Sequence, residues 1–174
     1  MRRRKIKVKK NGIYRTVQTA VICMMMASLA SMSSPGFAAD TDTSNEPKEV
    51  QLVRQILKTY ELMDWDKWVN YFAEDGMLHS VMRDPFAGRE VLKARMIEFH
   101  GGIGIEHGSM TLHIQNIGKV ADNVVMVERL DVWYQNGTKR QVPAVGVFVF
   151  DDDGLIKVWR EYYDLATLKE QMKP

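Results

Sequence analysis

The stretch VVMVERLDVWYQNGTKRQVPAVGVFVF, Val124–Phe150, decides the fold. Side chains alternate faces along a strand, so Val125, Val127, Arg129, Asp131 and Trp133 share one face of a long strand, Val124 to Tyr134. Gln135-Asn136-Gly137 is a hairpin signal, because Asn-Gly accepts the positive φ of a tight turn. Val142 to Phe150 returns as a nearly all-apolar strand, the composition expected at the centre of a sheet. Asp151-Asp152-Asp153-Gly154 supplies the next turn, and Leu155 to Asp164 reads as the last long strand.

Outward from this core, Met110 to Ile117 reads as a further strand, with a turn at Gly118 to Asn123. Helices precede it. Pro47 fits a first helical turn that Ser44 or Asn45 would cap. Val50, Val53, Ile56, Leu57, Tyr60 and Met63 follow at helical spacing. Asp64 is placed to cap a short helix, Trp65 to Phe72, ahead of a short strand, Met77 to Met82. Gly88 to His100 predicts a third helix with Val91, Leu92, Met96 and Phe99 on one side. Leu165 to Met172 closes the chain as a short helix that Asp164 caps. Helices first and an antiparallel meander afterwards define an α+β protein, with helices on one face of a curved sheet. No internal repeat or second domain is visible.

The 174 residues begin with a basic segment, Arg2 to Arg15, and an apolar run, Thr19 to Ala30. Gly36-Phe37-Ala38 follows with small residues at the two positions a signal peptidase reads. Residues 1–38 are therefore expected to be a secretory signal peptide, with an apolar run too short for a stable transmembrane helix. The alternative is an N-terminal membrane anchor. Residues 39–46 read as a polar, flexible leader, and residues 47–174 as the folded domain. Removal of 1–38 takes away 8 of the 24 Lys and Arg and no Asp or Glu, leaving 16 against 22 and a net charge of −6. A nucleic-acid or anionic-membrane partner loses its support, and the expected location is the periplasm or the exterior. Cys23 is the single cysteine and leaves with the signal. Disulfides, thiol nucleophiles and cysteine zinc sites are excluded from what remains.

Two charged stretches interrupt the apolar strands: Glu128-Arg129-Leu130-Asp131 and Trp159-Arg160-Glu161-Tyr162-Tyr163-Asp164. In the last strand, alternation puts Leu155, Lys157, Trp159, Glu161, Tyr163 and Leu165 on one face. If both sets face the hollow between sheet and helices, Arg129, Asp131 and Glu161 converge beside Trp133, Trp159 and Tyr163. Buried charge is costly unless paired. Two carboxylates bridged by a guanidinium are expected to separate their pKa values, burial and repulsion raising one while the Arg lowers the other. One then serves as acid and the other as base. A structural ion pair locking two strands, or charges on a solvated face, fits the same pattern.

Asp64-Trp65-Asp66-Lys67-Trp68, Phe72-Ala73-Glu74-Asp75-Gly76 and Ala87-Gly88-Arg89-Glu90 resemble the nuclear transport factor 2-like superfamily, the cone-shaped α+β fold. The Glu128–Asp131 and Trp159–Asp164 stretches are similar to the Glu-Arg-Val-Asp and Trp-Arg-Asp-Tyr-Phe-Asp motifs of the limonene-1,2-epoxide hydrolase family. The resemblance implies one-step hydrolysis without metal or cofactor, in a pocket enclosed by about three helices. It assigns Asp131 as acid, Arg129 as bridge and Glu161 as base, and it implies a homodimer paired through the open sheet face. Two departures stand out. The family has Asp at the position of Glu161, and Glu is one methylene longer. It also holds the attacking water with a Tyr and an Asn on the first strand, where this chain has Leu78 and Ser80. His79, between them, points to the other face.

The expected function is an exported, cofactor-independent hydrolase acting on an epoxide or a similar small apolar substrate. Leu78, Ser80, Trp133, Trp159 and Tyr163 are its expected substrate contacts. The alternatives are a non-catalytic apolar-ligand binder, or a lyase or isomerase of the ketosteroid isomerase or polyketide cyclase type. His79, His100, His107 and His113 lack metal-ligand spacing, so no metal site is expected. The Gly-rich Gly101 to Gly108 segment lacks the setting of a phosphate cradle and is read as a rim or lid. Trp65, Trp68, Tyr71 and Phe72 are read as core packing, part of which lines the cavity. Met63, Met77, Met82, Met96 and Met110 are read as gap fillers.

Overall fold

A computed structural model describes residues 45–80 and 83–173. The expected signal peptide and all but the end of the expected leader lie outside these residues, as does Met82. The elements run α1 (Lys48–Glu61), α2 (Trp65–Val69), β1 (Phe72–Ser80), β2 (Phe86–Ala87), α3 (Arg89–Ile103), β3 (Thr111–Ala121), β4 (Val124–Gln135), β5 (Thr138–Phe150), β6 (Ile156–Tyr163) and α4 (Leu165–Gln171). One curled sheet of six strands has the order β2-β1-β6-β5-β4-β3. All neighbours are antiparallel except β1 and β6. This is the mixed α+β cone fold expected from the sequence.

The β4–β5 hairpin turns through Asn136 and Gly137 with φ of 51° and 73°. Positive φ at both central residues matches the twist of the flanking strands and fixes the register. Arg129 then lies opposite Ala144, and Val127 opposite Gly146. At the next turn the Asp151 carboxylate accepts from the backbone N–H of Asp153 and Leu155. Beyond it, Gly146 pairs with Glu161 and Phe148 with Trp159.

A register shift beside Phe150 breaks the alternation predicted for the last strand. Ile156 is buried, whereas Lys157 is exposed and pairs with Asp75. Lys157 therefore leaves the face of Trp159, Glu161 and Tyr163, and Leu165 belongs to α4. The expected helix to Phe72 ends at Val69, and the strand expected from Met77 begins at Phe72. The backbone there is claimed by tertiary bonds: the carbonyl of Tyr71 accepts from Ile156 N–H, and that of Phe72 from the Arg89 guanidinium. β3 likewise continues through the predicted turn to Ala121.

The helices cover the concave face. Val50, Val53, Ile56 and Leu57 form the buried stripe of α1, at the spacing of one helical face. They join Trp68, Phe72, Phe148 and Trp159 in one core. Pro47 occupies the position before α1 with no side-chain cap, so Asn45 does not cap it. Glu46, at the end of the expected leader, instead accepts two hydrogen bonds from Arg54. Asp164 does cap α4, accepting from Thr167 N–H at 2.5 Å. In α3, Leu92 and Met96 are buried, but Val91 is exposed and Phe99 only half-buried. Among the described residues, no helix is long and apolar enough to cross a membrane.

Candidate active site

Every site residue expected from the sequence meets in one place. Asp131, Arg129, Glu161, Leu78, Ser80, Trp133, Trp159 and Tyr163 all line a cavity of about 330 Å³. Its remaining wall is mostly apolar, with Met96, Ile103, Ile105, Met110, Val142 and Leu168, and the charged Arg83, Arg95 and Glu98 also border it. Met96 and Met110 thus border the ligand space as well as filling the core.

Arg129 is 4 % exposed, and all three of its guanidinium nitrogens donate to the two carboxylates. Its Nε and Nη2 donate to Asp131 Oδ1 and Oδ2 at 2.8 and 3.1 Å. Its Nη1 and Nη2 donate to Glu161 Oε1 and Oε2 at 3.1 and 2.6 Å. Trp159 Nε1 also donates to Glu161 Oε1. Charge-assisted, two-pronged bonds of this kind set orientation as well as energy. Arg129 and Asp131 are two residues apart on β4, so the pleat alone brings them together. Glu161 stands on β6, with β5 in between. Gly146 supplies the space: a Cβ there would meet Arg129 Nη1 at 2.9 Å, Phe148 Cε2 at 3.0 Å and Glu161 Oε1 at 3.1 Å.

The electrostatics differ from the expected split. Burial raises the pKa of both Asp131 and Glu161, and Arg129 opposes that rise at each without cancelling it. Nearby negative charge adds to it, from Glu61 at Asp131 and from Asp131 at Glu161. Burial disfavours a charged guanidinium too, yet the two carboxylates hold Arg129 firmly protonated. Two carboxylates and one guanidinium carry a net charge of −1, and one added proton makes the set neutral. An apolar cavity favours that singly protonated form, which contains one acid and one base.

Ser80 pairs with Glu161 in the parallel β1–β6 ladder. Its Oγ lies 2.6 Å from the hydroxyl of Tyr163, two residues beyond Glu161. A phenol and a hydroxyl therefore stand beside Glu161 although Leu78 is apolar. His79 does not line the cavity, and Glu128 is exposed on the opposite face.

One pair escaped the sequence reading. Tyr60 on α1 lines the cavity, and its hydroxyl lies 3.0 Å from His100 Nε2 on α3. Tyr60 fitted an apolar helical stripe, and nothing in a separation of forty residues signals the contact. Conversely, none of Trp65, Trp68, Tyr71 and Phe72 lines the cavity. Trp68 and Phe72 are wholly buried against Trp159, and Trp65 and Tyr71 are half-buried against that core.

The Gly-rich segment forms a rim. Gly101 to Ile103 is the last turn of α3, and Ile103 and Ile105 border the mouth. Ile105 bridges to Gln135, Glu106 N–H donates to the Tyr134 carbonyl, and Gly137 N–H donates to the Glu106 carboxylate at 2.7 Å. These bonds tie the segment to the β4–β5 hairpin. Among the described residues, no group of three or more His, Cys, Asp and Glu side chains is arranged to hold a metal ion.

Fold and site together define an α+β cone protein with a buried carboxylate–guanidinium–carboxylate set in a largely apolar cavity. The chain belongs to the SnoaL-like domain family, whose model matches residues 53–159. Solved structures share the fold at low identity. An LEH-like epoxide hydrolase of M. tuberculosis is 22 % identical, with a TM-score of 0.60 over 71 % of this chain and 88 % of that one. A protein from Shewanella denitrificans described as a SnoaL-like polyketide cyclase is 16 % identical, with a TM-score of 0.65 over 73 % and 98 %. A hypothetical protein of Catenulispora acidiphila with a ketosteroid isomerase-like fold, in complex with trimethylamine, is 18 % identical, with a TM-score of 0.61 over 73 % and 93 %.

Proposed function

We propose that the protein is a cofactor-independent hydrolase that adds water to an epoxide or a similar small apolar substrate. The observation that carries this reading is the Asp131–Arg129–Glu161 set, buried in the wall of an apolar cavity. In its singly protonated form, Glu161 takes a proton from water while the water oxygen attacks an epoxide carbon. The carbon–oxygen bond opens, and the ring oxygen takes the proton of Asp131. The product is a vicinal diol, and one proton passes from Glu161 back to Asp131 to restore the set. Arg129 holds both carboxylates in place and keeps their combined charge low. The water-holding role passes to the Ser80–Tyr163 pair, which compensates for Leu78 and for the longer Glu161.

The test is turnover of a panel of epoxides by the purified protein, read as diol formation, beside Asp131→Asn and Glu161→Gln. Turnover abolished in both variants supports the reading, and turnover unchanged in either removes it.

A second reading is an apolar-ligand binder without turnover. Its support is Leu78, which puts an apolar side chain where the epoxide hydrolases hold water. A lyase or isomerase using one carboxylate as base draws on the fold shared with the cyclase and ketosteroid isomerase-like proteins.

Export through residues 1–38 and a homodimer complete the proposal. Val145, Val147 and Val149 are half-buried on the face of β5 opposite the cavity, and an apolar sheet face suits a second copy. N-terminal sequencing of the protein recovered from its native host and light scattering test the two points.

A further inference from the structure

Arg83, Arg95 and Glu98 apart, the acid–base set leaves a polar pair of the cavity unused. Tyr60 and His100 meet between α1 and α3, and Tyr60 faces the same space as Arg129, Asp131 and Glu161. His100 is 4 % exposed and does not line the cavity. It is packed among the rings of Tyr60, Trp65 and Phe99. Burial drops its pKa to about 4, so the imidazole is neutral at neutral pH. Burial, and then the charges of Glu161 and Asp131, raise the Tyr60 pKa, so the phenol keeps its proton.

A neutral imidazole has one N–H to place. Nδ1 of His100 is buried without a hydrogen-bond partner among the described residues. A proton on Nδ1 would be a buried donor with nothing to bond. A proton on Nε2 goes to the Tyr60 oxygen at 3.0 Å. Leaving a buried donor unmade costs the full desolvation of that group, so the Nε2–H form is assigned. Tyr60 then accepts from His100, and its own O–H is left for whatever the cavity contains. A hydroxyl that accepts one hydrogen bond becomes a stronger donor in the next.

We propose that Tyr60, oriented and polarised by His100, is a donor subsite that takes the oxygen of an uncharged ligand, such as an epoxide, ether or ketone, and holds it against the carboxylate set. The inference rests on the reading of this cavity as a small-molecule site. It adds a requirement on ligand chemistry: an apolar body with one neutral oxygen acceptor. Tyr60 touches the ligand, and His100 is a positioning residue.

Acetophenone and α-methylstyrene test this, since they differ only in a carbonyl oxygen against a methylene group. Affinities come from NMR titration of the purified full chain, and the carbonyl stretch of bound, ¹³C-labelled acetophenone comes from infrared difference spectra. The acetophenone-to-α-methylstyrene affinity ratio is expected to be about three- to tenfold higher in wild type than in Tyr60→Phe, the range of one hydrogen bond. Tyr60→Phe should also raise the stretching frequency. His100→Leu should weaken both effects, and His100→Gln, which keeps an N–H donor, should restore part of them. A purely structural Tyr60–His100 contact would move neither readout. An affinity ratio that is the same in wild type and Tyr60→Phe, or an unchanged stretch in that variant, overturns the subsite. Epoxide turnover by the same wild-type preparation separates the two readings: turnover without the Tyr60-dependent ketone preference leaves the hydrolase standing and removes the subsite. The preference without turnover does the reverse.

Discussion

Arg129 on β4 and Glu161 on β6 are joined across an intervening strand. Two hydrogen bonds, 3.1 and 2.6 Å long, cross β5 where Gly146 has no side chain. The site therefore depends on an absence in the sequence as much as on its charged residues.

Gly146→Ala tests that dependence. The added methyl would stand 2.9 Å from Arg129 Nη1, whose guanidinium is buried and held by four hydrogen bonds to Asp131 and Glu161. The variant should lose turnover at least tenfold and about 1–3 kcal/mol of stability, the usual cost of overpacking. Denaturant unfolding and a turnover assay measure both. Wild-type values in each would sink the claim that the bridge needs this space.

Removing the bridge should be more damaging than crowding it. Arg129→Met leaves two buried carboxylates without their cation, at a cost of about 3–5 kcal/mol at neutral pH. The loss should shrink in acid, where both carboxylates protonate. Unfolding at a series of pH values checks this, and a pH-independent loss would contradict it.

Glu161 gives the wild-type protein a particular pH signature. Its folded pKa lies above its unfolded value because of burial. The folded state thus binds more protons in the window just above the unfolded value of about 4.3. The stability it contributes is fully present below that pH and declines as pH rises through the folded pKa. Wild type minus Glu161→Gln, measured by unfolding, should fall with rising pH across this window. A difference that rises instead would place the folded pKa below the unfolded one.

His100 runs the opposite way. Its folded pKa is about 4, against roughly 6.5 when unfolded. The unfolded chain binds the extra proton, so the contribution is complete above about pH 6.5 and is lost as pH falls through 4. The gap corresponds to about 3 kcal/mol. His100→Leu should remove this acid sensitivity, which unfolding curves between pH 4 and 7 would detect.

Tyr163→Phe deletes the phenol beside Glu161 and Ser80 while keeping the ring. If this pair holds the attacking water, kcat should drop about ten- to a hundredfold, with KM for an epoxide little changed. A rise in KM at constant kcat would instead make Tyr163 a substrate contact only.

Much of this was legible in the order of residues. Period-two alternation put Arg129 and Asp131 on one face, Asn136-Gly137 set the hairpin, and Trp159, Glu161 and Tyr163 kept their common face. These are local properties, fixed by the pleat and by turn dihedrals over a few residues. The face of Lys157 was misread because a register shift depends on how two strands meet, which alternation within one strand cannot report. The helix predicted to Phe72 stopped at Val69 because Ile156 and Arg89 compete for the backbone there.

The sequence by itself determined the α+β class, the long strands β4, β5 and β6 and the three charged residues of the site. Tertiary structure alone decided that Glu161 reaches Arg129 over Gly146 and that Ser80 stands beside Glu161 through the parallel β1–β6 pairing. It also decided that Tyr60 meets His100 between two helices. Each of these contacts joins residues that sequence separation leaves independent. Their meeting follows from strand order and helix packing, which the whole core sets at once.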